Sequence, residues 1–512
     1  MIRTERETVR SSTAAIGPEA SQLPFVPYVD MHETHTGVVV LVGDRAYKAK
    51  KPVKTDFLDF RTVEQREHAC RREVELNSRL SPGSYLGVGY LSDPAGGAAE
   101  PVVVMRRYRD EDRLASLANR AESDEVVRGV LDTIAGVLAR FHDHAQRGLS
   151  IDARGEPGAI EQLWRENLSE LHRHGGTTVT DESIGQIEHL VGEFLRGRGL
   201  LFTRRIGEGR IVDGHGDLLA DDIFCVDDGP ALLDCLEFDD ELRRVDRIDD
   251  AAFLAMDLEF LGRKDLGQYF LQRYVAHSGD PAPMPLCDFY IAYRAVVRAK
   301  TDCVRLSQGK AEAAAHAARH LDIARQHLQD GTIRLALVGG SPGTGKSSLA
   351  RGLAEQVGAQ VISTDDVRRE LQDWGAISGE TDVVDAGLYA PANVAAVYEV
   401  ALRRARLCLS SGRSVILDAT WRDPQMRAQA YRIASETHSA LVELQCTVPI
   451  RVASDRISAR EPGNSDATPE IAATLAAQHH GWHSSVRIDT SKSHERALHE
   501  ARIAWCQAVE LE

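Results

Sequence analysis

The chain has 512 residues, 27% of them charged and 43% hydrophobic, the balance of a globular protein of two or three domains. Its net charge of −16 is uneven, because 19 Lys and Arg stand against 22 Asp and Glu from residue 331 onward, leaving −13 on the first 330 residues. Neither part carries the basic excess of a general nucleic-acid binder, and no apolar run approaches the length that crosses a membrane.

Residues 1–22 hold Arg, Ser, Thr and Ala without an apolar stretch, so a mobile tail is expected there and not a signal peptide. Eight cysteines form no C-x-x-C pair, which fits reduced thiols in a cytoplasmic protein and implies neither zinc nor disulfides. Residues 36–50 predict two strands joined at Gly43-Asp44, with Ala46, Lys48 and Lys50 on one face of the second. A helix is predicted over 62–80, with Glu73 inside it, and a further strand over Pro101–Met105.

Helices follow. Ile134, Val137, Leu138 and Phe141 repeat at i, i+3, i+4, i+7, as do Ile187, Leu190, Val191 and Phe194, and each set marks one buried stripe. His142 and His144 read as helix-end residues suited to the dipole. Acids then gather at His215-Gly216-Asp217, Asp222 and Asp234. Asp249-Asp250 precede an apolar run and read as a capped helix start. An Ala-rich helix over 310–328 ends at the turn Asp330-Gly331, which is taken as the boundary between a domain at 23–330 and one at 331–512.

Beyond that boundary Leu335–Val338 predicts a strand, and Gly340-Ser341-Pro342-Gly343-Thr344-Gly345-Lys346-Ser347 fits G-x-x-x-x-G-K-[ST]. Glycines at 340, 343 and 345 let backbone N–H groups turn toward an anion, and the helix beginning near Ser347-Ser348 adds its positive N-terminus. Lys346 is expected to reach the β and γ phosphates of ATP and the Ser347 hydroxyl to ligate Mg²⁺. A strand over 359–363 places Asp365 across the cleft as a candidate general base, with Arg368 orienting the acceptor; a helix-capping role is the plain alternative for Asp365. The strand 414–418 ends in Asp418, expected in the magnesium shell. Arg456 and Arg460, four apart after Arg451, share a helical face and read as lid arginines that stabilise a transferring phosphoryl group.

The order of strand, lysine, helix with glutamate, strand, and then H-G-D with a later Asp resembles the aminoglycoside phosphotransferase branch of the protein-kinase-like fold. That resemblance implies that Asp217 orients or deprotonates the acceptor hydroxyl and that Asp222 and Asp234 hold Mg²⁺. It also implies that Lys48, or Lys50 on the same face, meets the nucleotide phosphates, braced by Glu73. Asp222 stands where that family usually has Asn. The C-terminal domain resembles P-loop kinases of small metabolites and of 5′-hydroxyl nucleic-acid ends. The chain as a whole resembles fusions of these two domains, which implies an N-terminal bilobal kinase-like domain ahead of an α/β domain with a parallel sheet. The expected activity is ATP- and Mg²⁺-dependent transfer to a small hydroxylated metabolite, with the C-terminal domain the active one. The rival readings are a 5′-hydroxyl nucleic-acid kinase and a nucleotide-switched binding protein with a degenerate first domain. Neither the acceptor nor the oligomeric state is legible.

Overall fold

The computed structural model describes residues 28–33, 36–54, 59–92, 96–120, 124–174, 179–380, 386–459 and 481–509. The tail at 1–22 and Arg460 lie outside them. The fold is mixed α/β and divides into two compact units, one made of residues up to Val74 together with Tyr85–Tyr108, the other of Glu75–Ser84 and everything from Arg109 on.

The first unit is an antiparallel sheet of β1 (Val29–Glu33), β2 (Gly37–Val42), β3 (Arg45–Lys50), β4 (Tyr85–Leu91) and β5 (Glu100–Arg106), in the order β1-β2-β3-β5-β4. Gly43, at φ +57°, makes the tight β2–β3 turn that the sequence marks. The helix Val63–Ser78 contributes Cys70 and Glu73 to this unit, both fully buried.

In the second unit, helices Asp124–His144, Asp181–Gly197, Arg247–Phe260 and Met284–Ser307 bury their apolar stripes in one large core, as the repeats at 134–141 and 187–194 require. Two short sheets sit on it, β6 (Ile211–Asp213) with β9 (Arg244–Asp246), and the hairpin of β7 (Ile223–Val226) with β8 (Gly229–Leu232). The helix Ala313–Asp330 then leads into a five-stranded parallel sheet of β10 (Arg334–Gly339), β11 (Gln360–Ser363), β12 (Val415–Asp418), β13 (Ala440–Thr447) and β14 (Val486–Asp489), in the order β11-β12-β10-β13-β14. Every residue of β10 is buried because helices cover both sheet faces, which is why Leu335–Val338 reads as an unbroken apolar run.

The helical body and the parallel-sheet domain meet around Arg198. Its guanidinium is 1% exposed and donates to the carbonyls of Gly197 (2.8 Å), Thr437 (2.8 Å) and His438 (3.2 Å). Two helix C-termini, those of Asp181–Gly197 and Pro424–Glu436, therefore share one buried cation, the charge their dipoles favour. Among the described residues no helix is long and apolar enough to cross a membrane.

The helix leading into the sheet is fastened by His327, whose ring nitrogens lie 2.8 Å from Asp288 Oδ1 and 2.8 Å from Glu259 Oε2. Burial alone would lower this imidazole, but the two carboxylates push it up to about 9. Its contribution to stability is complete below 6.5, the ordinary histidine value, and is lost as the pH rises through about 9. We therefore expect wild type to exceed His327→Gln by roughly 3 kcal/mol in denaturant melts near pH 6 and by little above pH 9.5. A difference that does not shrink with rising pH would contradict the assignment.

Candidate functional site

The phosphate loop runs from the end of β10 to the helix Lys346–Val357. Gly340 has φ +137° and Gly343 φ +78°, and a Cβ at either place would lie 2.6 Å from a backbone oxygen, of Cys446 and of Ala453 respectively. Both glycines are thus required by backbone shape and by space. Thr344 Oγ1 donates to the Ser341 carbonyl at 2.7 Å and Lys346 Nζ donates to the same carbonyl at 3.1 Å. The ammonium group thus lies across the loop and not against a carboxylate. Pro342 has no N–H to offer and the Thr344 N–H donates to the Ser341 carbonyl at 3.4 Å, so the donors left at the turn are those of Gly343 and of Gly345 to Ser347.

Parallel register places the carboxyl ends of β10, β11 and β12 side by side, with Val338 opposite Asp418 and Asp418 opposite Ser363. Asp418 is buried, and burial raises its carboxyl above the ordinary range although Lys346 and a hydrogen bond from the Ser347 hydroxyl pull it down. Ser347, Lys346 and Asp418 are therefore brought together, as their positions in the sequence predict. Asp365 opens the helix Thr364–Asp373, and Ser363 caps that helix through the Asp365 N–H. The cap is the serine, which leaves the Asp365 carboxylate to Arg368, 2.6 Å away at Nη1. Arg368 is 8% exposed and lies 4.6 Å from the Tyr389 ring centroid. Asp423, and not Asp418, caps the next helix, Pro424–Glu436.

Arg456 lies on the helix Ile450–Ser458 and donates to the Thr490 carbonyl at 2.8 Å, while the Thr490 hydroxyl donates to the Thr344 carbonyl at 2.5 Å. A Cβ on Gly345 would lie 3.4 Å from Arg456 Nη1. The arginine thus reaches the loop from the side of Gly345 and Thr490. Ser348 is exposed on the first turn of the loop helix.

In the first unit Glu73 Oε1 lies 2.9 Å from Lys48 Nζ and Oε2 2.6 Å from Lys50 Nζ. Lys50 is buried with its ammonium 5.6 Å from the Phe60 ring centroid, whereas 18% of the Lys48 side chain stays exposed. Of the two lysines, Lys48 is the more exposed.

In the second unit the His215–Asp217 loop is held by Asp250, which is 0% exposed and accepts from the N–H groups of His215 (2.5 Å) and Gly216 (2.8 Å). His142 Nε2 lies 3.1 Å from the same carboxylate, and its Nδ1 lies 2.7 Å from the Tyr274 hydroxyl. Burial alone would raise Asp250; the hydrogen bond from His142 holds it below the usual carboxylate range. Arg294 grips Asp249 through two bonds of 2.6 and 2.9 Å and donates to the Gly216 carbonyl at 2.9 Å. The carboxylate of Asp217 accepts no hydrogen bond among the described residues, and burial raises it to about 6. Asp222 closes a short turn whose carbonyl accepts from the Leu233 N–H at 3.0 Å, and Asp234 follows β8 at φ +61°. Among the described residues no three His, Cys, Asp or Glu side chains gather closely enough to hold a metal ion unaided.

A family model described as an AAA domain matches residues 335–484. Over 483 residues the chain is 65% identical to the uncharacterized proteins Rv2004c of Mycobacterium tuberculosis and Mb2027c of Mycobacterium bovis, covering 94% of this chain and 96% of each of those. The chain belongs to their family. Solved structures with similarity include a choline/ethanolamine kinase family protein from Mesorhizobium loti (14% identity, 60% of this chain and 94% of that one, TM-score 0.37). A gluconokinase from Sinorhizobium meliloti matches at 17% identity over 35% of this chain and 94% of its own, with a TM-score of 0.26.

Two sequence expectations are corrected here. His142 is an anchor of the His215–Asp217 loop and not an ordinary helix-end residue; it continues the Ile134–Leu138 stripe at a spacing of four, the signal that could have shown it facing inward. Asp249 and Asp250 do not cap their helix, since Asp246 does so through the Ile248 N–H. Replacing Asp250 by alanine would leave His142 and two buried N–H groups without an acceptor, so Asp250→Ala should cost about 4 kcal/mol in chemical denaturation. A loss below 1 kcal/mol would show that the loop does not depend on this carboxylate.

Proposed function

We propose that this protein is an ATP-dependent phosphotransferase whose C-terminal domain moves the terminal phosphoryl group of ATP to a hydroxyl of a small metabolite in the cytoplasm. The observation that carries the reading is the conjunction at the strand ends. A glycine-shaped turn directs N–H groups and one ammonium to the same place, with Ser347–Asp418 on one side and the Asp365–Arg368 pair on the other.

Each residue then has a physical task. The amides of Gly343 and of Gly345 to Ser347, with the loop-helix N-terminus, hold phosphate oxygens, and Lys346 swings from the Ser341 carbonyl to meet the charge that builds up on the departing and arriving oxygens. Asp365 accepts the proton of the acceptor hydroxyl, and Arg368, kept in place by Asp365 and the Tyr389 ring, orients that acceptor. Ser347 and Asp418 offer the hard oxygen ligands that suit Mg²⁺, which when bound neutralises phosphate charge. Arg456, beside Gly345, adds a cation at the loop's outer edge.

The test combines γ-labelled ATP, Mg²⁺ and a small-metabolite extract with wild type and two variants. Lys346→Ala should lower label transfer at least ~100-fold while the melting temperature moves by less than about 2 °C, because the side chain makes one backbone hydrogen bond. Asp365→Asn should lower kcat by a similar factor with little change in KM for ATP. Transfer at the wild-type rate by Lys346→Ala would remove the reaction from this domain.

A further inference from the structure

The helix Met284–Ser307 carries three charged residues four apart, Arg294, Arg298 and Asp302, which stack along one face. The outer two are fully engaged. Arg294 bonds Asp249 and the Gly216 carbonyl, and Asp302 Oδ2 lies 2.9 Å from His320 Nδ1. Arg298, between them, makes no hydrogen bond or ion pair among the described residues, and its Nε is buried without a partner.

Position explains what this guanidinium faces. One helical turn before it, Arg294 touches the carbonyl of Gly216, the residue next to Asp217. Among the charges that act on Asp217, Arg298 acts most strongly, and it also acts on Asp257. Asp257 is already engaged through the Ala220 N–H at 2.8 Å, whereas Asp217 bonds only through its own N–H, to His215 Nδ1 at 3.4 Å, and its carboxylate accepts no hydrogen bond among the described residues. The loop and this helix therefore present a carboxylate that accepts no hydrogen bond among the described residues and a half-buried guanidinium whose Nε lacks a partner, close enough to act on one another. A buried donor left unmade is costly, so a group that completes it is selected strongly over one that does not.

We propose that Arg298 seats the oxyanion, phosphate or carboxylate, of a small hydroxylated molecule whose hydroxyl meets Asp217. An amine offered beside Asp217 would meet the guanidinium with like charge, and a neutral polyol would leave it unpaired. The inference concerns the kinase-like part of the chain and stands apart from the phosphate loop, so it survives or fails independently of Lys346.

Calorimetric titration of the full chain with glucose 6-phosphate, gluconate, glucose and glucosamine varies the charge on one skeleton. The titrations are run in parallel on Lys346→Ala to subtract any anion held by the phosphate loop. At least one of the two anions should bind at least tenfold more tightly than glucose and glucosamine, and the tighter of the two names the group. Arg298→Met should weaken that anion at least tenfold, Arg298→Lys should recover part of the loss, and Asp217→Asn should keep the binding or tighten it. Circular dichroism melts identify any variant that has failed to fold, in which case Arg298→Lys carries the comparison. Binding of the amine or the neutral sugar as tightly as the anions, no binding by either anion, or unchanged affinity in Arg298→Met would each overturn the proposal.

Discussion

Residue 343 has to be glycine, and the arrangement at the strand ends follows from that. At φ +78° any side chain is strained, and here a Cβ would press within 2.6 Å of the Ala453 carbonyl oxygen. That contact lets the helix Ile450–Ser458 lie directly on the loop, bringing Arg456 to Gly345 and Thr490. Thr490 in turn ties down the Thr344 carbonyl. The carbonyls of Ser341 and Thr344 are occupied from within the domain, and the Thr344 N–H closes on the Ser341 carbonyl at 3.4 Å, so the N–H groups of Gly343 and of Gly345 to Ser347 are the ones left to face a ligand. The loop's shape is thus fixed by contacts within the domain, and a turn held in this way is preorganised for the anion that the proposed reaction requires.

The helical body uses the opposite device, a carboxylate inside and donors around it. Asp250 gathers two backbone N–H groups and His142, and Arg294 closes the other side of the loop through Gly216. Each of these groups would be costly alone in the core; together they leave no charge uncompensated. The outcome is a rigid turn that holds Asp217 without hydrogen-bonding it. Arg198 joins this helical body to the parallel-sheet domain with a similar economy, one cation answering the carbonyl ends of two helices. The site in each part is thus carried on a stiff support, and the supports are linked by buried polar contacts.

What could be read from the sequence tracks how local the chemistry is. The phosphate loop is legible because its donors come from consecutive residues, and the fixed glycines, lysine and serine state the geometry outright. The strand-end acids are legible in part: parallel register puts Asp418 and Asp365 near the loop, but only the structure separates the capping role of Ser363 from the pairing of Asp365 with Arg368. Lys48 and Lys50 could not be told apart by period, since both lie on one face of β3 and both reach Glu73; burial under Phe60 distinguishes them. Asp250 with His142 and Arg294 was invisible because the partners lie far apart in the chain and each alone fits a bland local role. The tie between Arg456 and Thr490 joins two helix–strand units for the same reason.

Backbone hydrogen exchange with a non-hydrolysable ATP analogue and Mg²⁺ tests the central claim most directly, because it reads the N–H groups themselves. The amides of Gly343 and of Gly345 to Ser347 should slow at least ~10-fold on addition of the analogue, and that protection should be absent in Lys346→Ala. Unchanged exchange at those amides, with protection elsewhere or nowhere, would contradict a nucleotide seated in this loop.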